Sequence, residues 1–350
     1  MPSQNPDPER NEKIEAYFSC LDKAFAKEVD WPRAIELRKE LLPKSLFKYQ
    51  RFDKNQTVEP GHRNEDYCLQ NLRNHQLRLT APLDFNDPYD TASFFLIDQA
   101  VESVPYDLEA FLSMPEVRDH MPEETKELLR SSDGRPNTVQ DILLKQIPDD
   151  LSRKFSLRFR EKIFDQFGKE MVHSSNQFFR KNIRVSSFCE INDSIVMWSH
   201  YGGYHKGFCL EYDSARLALD VNIPGWLHPV RYNTNLSDVT KYLKASIQYR
   251  ISGGQIANIW APIVACHKSP EWSYEREWRV VALDERDFFQ VEPVSVILGA
   301  RIDDLPDQKT ALLAIANDSK IPIKQAVIRD DRFELEVVDY QSINHSKRRL

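Results

Sequence analysis

Cysteine is scarce in this chain and poorly spaced for cross-linking. Five occur in 350 residues: Cys20, Cys68, Cys189, Cys209 and Cys266. No two stand in CxxC spacing and the number is odd, which argues against a disulfide framework and against a structural zinc site. Also missing is any apolar run of the roughly 20 residues a membrane-spanning helix needs. The opening MPSQNPDPERNEK is polar and acidic, without the apolar stretch of a secretory signal. No internal repeat or low-complexity tract is present. These absences lead to the expectation of a cytoplasmic protein with no membrane partner. Excess positive charge is lacking too: the formal net charge is -7. Without a global basic field, nucleic acid is not favoured as a partner. The basic stretches RKFSLRFREK (153–162) and KRRL read as solvated faces.

What the chain does have is core material, with 41% hydrophobic and 11% aromatic residues. Apolar spacings of three and four predict helices over 8–28 and from Asp30 to Pro43. LFKYQRF (46–52) alternates as a strand, with Leu46, Lys48, Gln50 and Phe52 on one face. A short helix at 65–74 and a strand HQLRLTAP precede the turn-forming FNDPYD (85–90). Residues 99–182 are charged and helical in spacing, ending in an amphipathic run at 150–180. Strand character resumes at IRVSSFCE (183–190) and continues at HKGFCLEYD, HPVRYN, REWRVVAL, PVSVILGA, IKQAVIR and ELEVVDY. Helices are expected around 193–201, within 236–267 with a break at Gly253-Gly254, and at 304–317. Strands and helices do not alternate strictly. The pattern predicts an α+β fold with a largely antiparallel sheet and helices outside it. The expected division is an N-terminal helical extension (1–45), an α+β core (46–98 and 183–340), a helical insertion (99–182) that could dock a protein partner, and a basic tail (341–350).

Three segments concentrate chemistry-bearing residues. FNDPYD offers Asn86, Asp87 and Asp90, either beside a pocket or as an Asx turn bonded to its own backbone. SSFCEINDSIVMWSHYGGYHKGFCLEYD (186–213) places Ser186 and Ser187 on opposite faces of a strand, then gathers Trp198, His200, Tyr201, Tyr204 and His205 around Gly202-Gly203. Aromatic rings and imidazoles suit a planar ligand such as a nucleotide or dinucleotide; a packed aromatic loop is the plainer alternative. His200 and His205 are a weak zinc pattern, and no metal is expected. WSYEREWR (272–279) reads as a strand with Glu275 and Glu277 on one face and Arg279 next along it. Two adjacent carboxylates repel, so one has a raised pKa unless a cation intervenes.

Taken together, LFKYQRF, LRLTAPLDFNDPYD, the 186–213 segment and WSYEREWRVV resemble a mostly bacterial family known as domain of unknown function 2971, over roughly residues 46–283. That resemblance implies no activity. A looser one does. A basic residue on an early strand, a Ser-rich strand and a later Glu-x-Glu strand are similar in order to the ADP-ribosyltransferase pattern. This second resemblance implies NAD as cofactor. It makes Arg51 or Lys48 the contact to the pyrophosphate, Ser187 or Ser186 the support, Glu277 the catalytic carboxylate and Glu275 the acceptor-orienting one, with Tyr201 or Trp198 stacking on nicotinamide. The middle motif is SSF and not Ser-Thr-Ser, and the segment between the Ser and Glu strands is long for the pattern. The expected function is an NAD-dependent ADP-ribosyltransferase or NAD glycohydrolase, of the kind used as a toxin or phage-defence effector. The alternatives are a divalent-metal hydrolase or nuclease using Asp87, Asp90 and Glu277, and a non-catalytic nucleotide-binding or protein-interaction module.

Overall fold

A computed structural model describes residues 7–25, 31–52, 66–94, 108–147, 149–163, 183–220, 227–242, 260–282 and 287–341. The basic tail, the Gly253-Gly254 break and the far half of the 150–180 run lie outside these residues. In chain order the strands are β1 (Ser45–Gln50), β2 (Gln76–Arg78), β3 (Ser93–Phe94), β4 (Arg184–Cys189), β5 (Phe208–Asp213), β6 (Leu227–Pro229), β7 (Arg231–Tyr232), β8 (Ser237–Asp238), β9 (His267–Lys268), β10 (Glu277–Ala282), β11 (Phe288–Gln290), β12 (Ser295–Leu298), β13 (Ile323–Ile328) and β14 (Leu335–Asp339).

Eight of them form one sheet in the order β14-β13-β12-β5-β1-β4-β10-β6. Every pairing in it is antiparallel except β12 with β13. The fold is therefore α+β around a largely antiparallel sheet. Alternation along the strands gives the sheet two apolar faces. One carries Leu46, Phe188, Phe208, Leu210, Tyr212, Trp278, Val280 and Val296, and the helices Tyr67–Arg73 and Pro306–Asp318 add Leu69, Leu72, Leu312 and Ile315 to that core. The other carries Phe47, Tyr49, Cys189, Cys209 and Ile297 and packs against Met197 and Trp198 of the helix Ile195–His200.

The N-terminal helix Pro8–Phe25 is tied to this sheet by polar contacts. Arg10 Nε donates to Glu190 Oε1 at 3.1 Å, and the same oxygen accepts from Trp278 Nε1 at 2.7 Å. The Tyr17 hydroxyl meets His228 Nδ1 at 2.5 Å. Buried groups of this kind need partners, and here the Arg10–Glu190 and Tyr17–His228 partners lie 180 and 211 positions apart in the chain.

By compactness the chain divides into one unit of residues 1–91, 181–235 and 261–350, and a second of 92–180 and 236–260. The second unit is thus formed from two stretches, and it takes in 236–260 as well as the expected insertion. Among its described residues, the helices Leu108–Leu112, Pro115–Arg118, Glu123–Arg130, Pro136–Gln146 and Asp149–Ile163 close over a core of their own that includes Phe111, Leu129, Leu143, Phe155 and Phe159.

Local chemistry explains where the strands depart from expectation. HPVRYN is not one strand. Pro229 has no N–H to continue a ladder, and the next amides turn to different partners: Val230 donates to the Glu277 carbonyl and Arg231 to the Cys266 carbonyl, each at 2.8 Å. HQLRLTAP gives only β2 and an isolated bridge from Thr80 to Val185. WSYE is not a strand either, and that change shapes the site described next.

Candidate functional site

The Ser-rich and Glu-rich segments meet side by side. In the β4–β10 pair Ser187 lies opposite Arg279 and Cys189 opposite Glu277, and Phe47 of β1 also lies opposite Cys189. Directly opposed residues share a face, so Phe47, Ser187, Cys189, Glu277 and Arg279 project on one side. Lys48, Ser186, Phe188 and Trp278 alternate to the other. A cavity of about 190 Å³ lies over the first side. Phe47, Tyr49, Phe85 and Tyr201 give it aromatic walls, and Asn86, Ser187, Glu275 and Glu277 border it as well.

Beneath the cavity is a buried cluster of charge. Arg279, 1% exposed, grips Asp90 with two parallel bonds, Nη1 to Oδ1 and Nη2 to Oδ2, both 2.7 Å. Its Nε donates to Glu277 Oε1 at 2.7 Å and its Nη1 also to the Ala265 carbonyl at 2.5 Å. Lys268 Nζ stands 2.6 Å from Glu275 Oε2, 3.1 Å from Glu277 Oε2 and 3.7 Å from Asp90 Oδ2, with the Trp272 ring 4.7 Å away. Carboxylates this deeply buried survive only with such partners.

The two glutamates reach the cluster by different routes. Pro270 opens a 3₁₀ turn, Pro270–Glu275, and Arg276 then takes a left-handed conformation with φ 43° before β10 begins at Glu277. The expectation that both glutamates share a strand face is therefore corrected: they share an ammonium. Lys268 is the intervening cation, yet it does not equalise them. Burial pushes the Glu275 carboxyl up, and the Glu277 charge adds to this; Lys268 and the Tyr201 hydroxyl offset only part, leaving it at about 7. Burial would raise Glu277 as well, but Arg279 first, then Lys268 and the Ser187 hydroxyl, hold it well below the usual carboxylate range. Glu277 also accepts from Arg279 Nη2 at 3.0 Å, and its backbone amide donates to the Tyr232 hydroxyl at 2.9 Å. The site thus pairs a permanent anion with a carboxyl that titrates near neutrality.

Tyr201 is placed by the WSHYGG sequence. Ser194 caps the helix Ile195–His200 by accepting from the Met197 amide. Trp198 is the anchor: fully buried, it donates Nε1 to the Asn192 carbonyl at 2.8 Å and meets Tyr49 edge-on at 5.2 Å. Gly202 packs so closely on Trp198 that a Cβ there would lie 2.5 Å from its ring. The chain between them presents Tyr201, whose hydroxyl donates to Glu275 Oε1 at 2.7 Å and shares a hydrogen bond with the Asn86 side chain.

The residues singled out from sequence are therefore divided. Ser187, Glu275, Glu277, Asn86 and Tyr201 border one cavity. Lys48 borders it too, but its ammonium donates to Ser186 Oγ at 2.9 Å and to the Ser187 carbonyl at 3.1 Å, over the Phe188 ring. Ser186 is buried on that opposite face. Arg51 is exposed beside Gly203, and Trp198 is committed to the core. His200, also exposed, bonds the Tyr274 hydroxyl at 3.2 Å. None of these last four is among the residues lining the cavity. Asp87 serves its own turn, accepting from the Tyr89 amide at 2.8 Å, while Asp90 is the member of FNDPYD that reaches the cluster. A divalent ion on Asp87, Asp90 and Glu277 would have to displace Arg279. Among the described residues no three of His, Cys, Asp and Glu are grouped to hold a metal. No described helix is long and apolar enough to cross a membrane.

Lys268 was not legible as a site residue; its only sequence signal is a lone cation between the apolar APIVAC and the proline-led aromatic turn. Fold and site together define an α+β protein with a buried ion-pair cluster under an aromatic cavity. The model of the family described as protein of unknown function (DUF2971) matches residues 197–280, which run from Met197 through Val280. The likeness read from the motifs holds over that stretch. No curated protein and no solved structure matches the chain.

Proposed function

We propose that this chain is an enzyme that breaks the nicotinamide–ribose bond of NAD, as a glycohydrolase or an ADP-ribosyltransferase, with Glu275 as general base. The observation that carries the reading is the pair Glu275 and Glu277: two carboxyls bordering one cavity, bridged by one ammonium and driven into opposite protonation regimes. Environments that separate two carboxyls in this way assign an acid–base role to one and an electrostatic role to the other. In NAD the C1′–N bond breaks with its electron pair leaving on nicotinamide, which departs neutral and needs no proton. The attacking water or acceptor hydroxyl must lose one. Glu275, titrating near 7, is matched to that task at neutral pH.

The charge balance supports the same chemistry. With Glu275 ionised, Asp90, Glu275 and Glu277 outnumber Lys268 and Arg279 by one, favouring the positive charge that develops on the ribose. The aromatic walls suit a planar ring. The order of the Ser-rich strand and the later Glu-x-Glu segment, similar to the ADP-ribosyltransferase pattern, supports NAD over other glycosides. The roles differ from the resemblance: the proton-accepting carboxyl is Glu275, Glu277 is the fixed anion, the Lys48 ammonium is engaged by Ser186 and the Ser187 carbonyl, and Arg51 and Trp198 do not line the cavity.

The test is nicotinamide release from NAD, with and without cell lysate as a source of acceptor. Turnover is expected, lowered about 100-fold or more in Glu275→Gln. A folded wild-type protein that releases no nicotinamide under either condition rules the reading out.

A further inference from the structure

We infer that Tyr201 is a catalytic residue that carries the proton between the attacking group and Glu275. This rests on the reading of Glu275 as general base and adds the route the proton takes. Both Glu275 oxygens are already engaged, Oε2 by Lys268 Nζ at 2.6 Å and Oε1 by the Tyr201 hydroxyl at 2.7 Å. The ammonium has no acceptor lone pair and keeps its protons beside three carboxylates, so the Oε2 side offers no way in. The Oε1 side ends in the hydroxyl of Tyr201, a residue that borders the cavity.

The hydroxyl is aimed from outside as well. The exposed Asn86 side chain also acts on the Tyr201 hydroxyl, in the direction that favours the phenolate. Tyr201 then has its proton committed to Glu275 and a remaining lone pair for the attacking O–H. In the step, the nucleophile's O–H bond breaks as its proton passes to the Tyr201 oxygen, and the Tyr201 proton passes to Glu275 Oε1. The nucleophile loses one proton, Glu275 gains one, and tyrosine is unchanged. No free phenolate forms, which matters because burial and the Glu275 charge push the Tyr201 hydroxyl far above its ordinary range.

The groups acting on Glu275 come from every side: Lys268 from β9, Glu277 from β10, Tyr201 from the end of the helix Ile195–His200, and, by their own shifts, Tyr274 on the 3₁₀ turn, Tyr232 on β7 and Cys189 on β4. Of these only Tyr201 donates a hydrogen bond to Oε1.

The experiment compares wild type, Tyr201→Phe, Glu275→Gln and Asn86→Ala, each first checked by melting temperature. Side-chain carboxyl ¹³C NMR follows the glutamates across pH, and nicotinamide release from NAD is measured on the same samples. A carboxyl midpoint near 7 is expected in wild type and absent in Glu275→Gln. Tyr201→Phe should raise it by about 1 pH unit, the scale of one lost hydrogen bond to a charged group. The same variant should slow turnover about 100-fold, close to Glu275→Gln; Asn86→Ala should give a smaller loss. If the midpoint does not move in Tyr201→Phe, or it moves and turnover is kept, the relay is wrong. Absence of the neutral midpoint in wild type instead refutes Glu275 as base. If no nicotinamide is released, the NAD reading falls and the midpoint shift alone decides the coupling of Tyr201 to Glu275.

Discussion

Asp90 and Arg279, 189 positions apart, meet in a two-pronged pair with both arms at 2.7 Å. This pair joins the FNDPYD turn to the Glu-rich strand and fixes one wall of the cavity. Burial makes it costly to break from one side, because the surviving charge is left without its partner. Asp90→Asn is expected to lower stability by about 3–5 kcal/mol, measured by urea unfolding at neutral pH. A loss under about 1 kcal/mol, the worth of an exposed pair, would mean that water reaches the cluster.

The strands were legible because alternation and β-branched or aromatic composition depend on nearest neighbours. IRVSSFCE, HKGFCLEYD and PVSVILGA all appear within a few residues of their expected limits. What depended on a single backbone event was not. Arg276 in a left-handed conformation turns WSYE from strand into turn, and Pro229 splits HPVRYN. The site was half legible for a related reason. Ser187 and Glu277 follow from strand pairing, whereas Lys268 reaches the cluster only through the folding of a short turn. The alternation that put Ser186 and Ser187 on opposite faces also removes Lys48's ammonium from the Glu277 side. No motif order could show that.

Glu275 makes stability fall with pH. Its carboxyl is raised to about 7 in the folded protein, against about 4.3 in an unfolded chain. Between those values the native state holds a proton that the unfolded state has released, so stability declines as pH rises and levels off above the folded value. The span corresponds to about 4 kcal/mol. Unfolding curves of wild type and Glu275→Gln, taken from pH 4 to 8.5, should converge at the acid end and diverge upward, the variant becoming relatively more stable. Parallel curves would show that Glu275 titrates normally.

The loop that carries Tyr201 is set by glycine contacts of two kinds. At Gly207 a Cβ would lie 2.1 Å from the Gln50 carbonyl oxygen, which is backbone and cannot swing away. At Gly203 the nearest atom would be 3.2 Å off, and the constraint is mainly its φ of +57°. Gly203→Ala is therefore expected to cost about 1 kcal/mol. Gly207→Ala should cost clearly more, about 3 kcal/mol or loss of folding. Melting temperatures of the two variants test the order; equal values would mean that the strands beside Gly207 yield easily.

Lys48 separates a structural cation from a ligand-binding one. Burial depresses its ammonium to about 8, and no carboxylate pairs with it among the described residues; its bonds go to Ser186 Oγ and the Ser187 carbonyl. The folded value lies below the roughly 10.4 of an unfolded lysine. The cost of keeping it charged is thus complete below pH 8 and disappears as pH rises past the unfolded value. Lys48→Met should stabilise the protein at pH 7, by up to about 3 kcal/mol less whatever its bond to Ser186 contributes, and the gain should shrink toward pH 10. Because the ammonium lies on the face away from Glu277, the KM for NAD should stay unchanged if the proposed NAD turnover is observed. A tenfold rise in KM, with kcat preserved, would instead mean that Lys48 turns to hold the pyrophosphate when ligand binds.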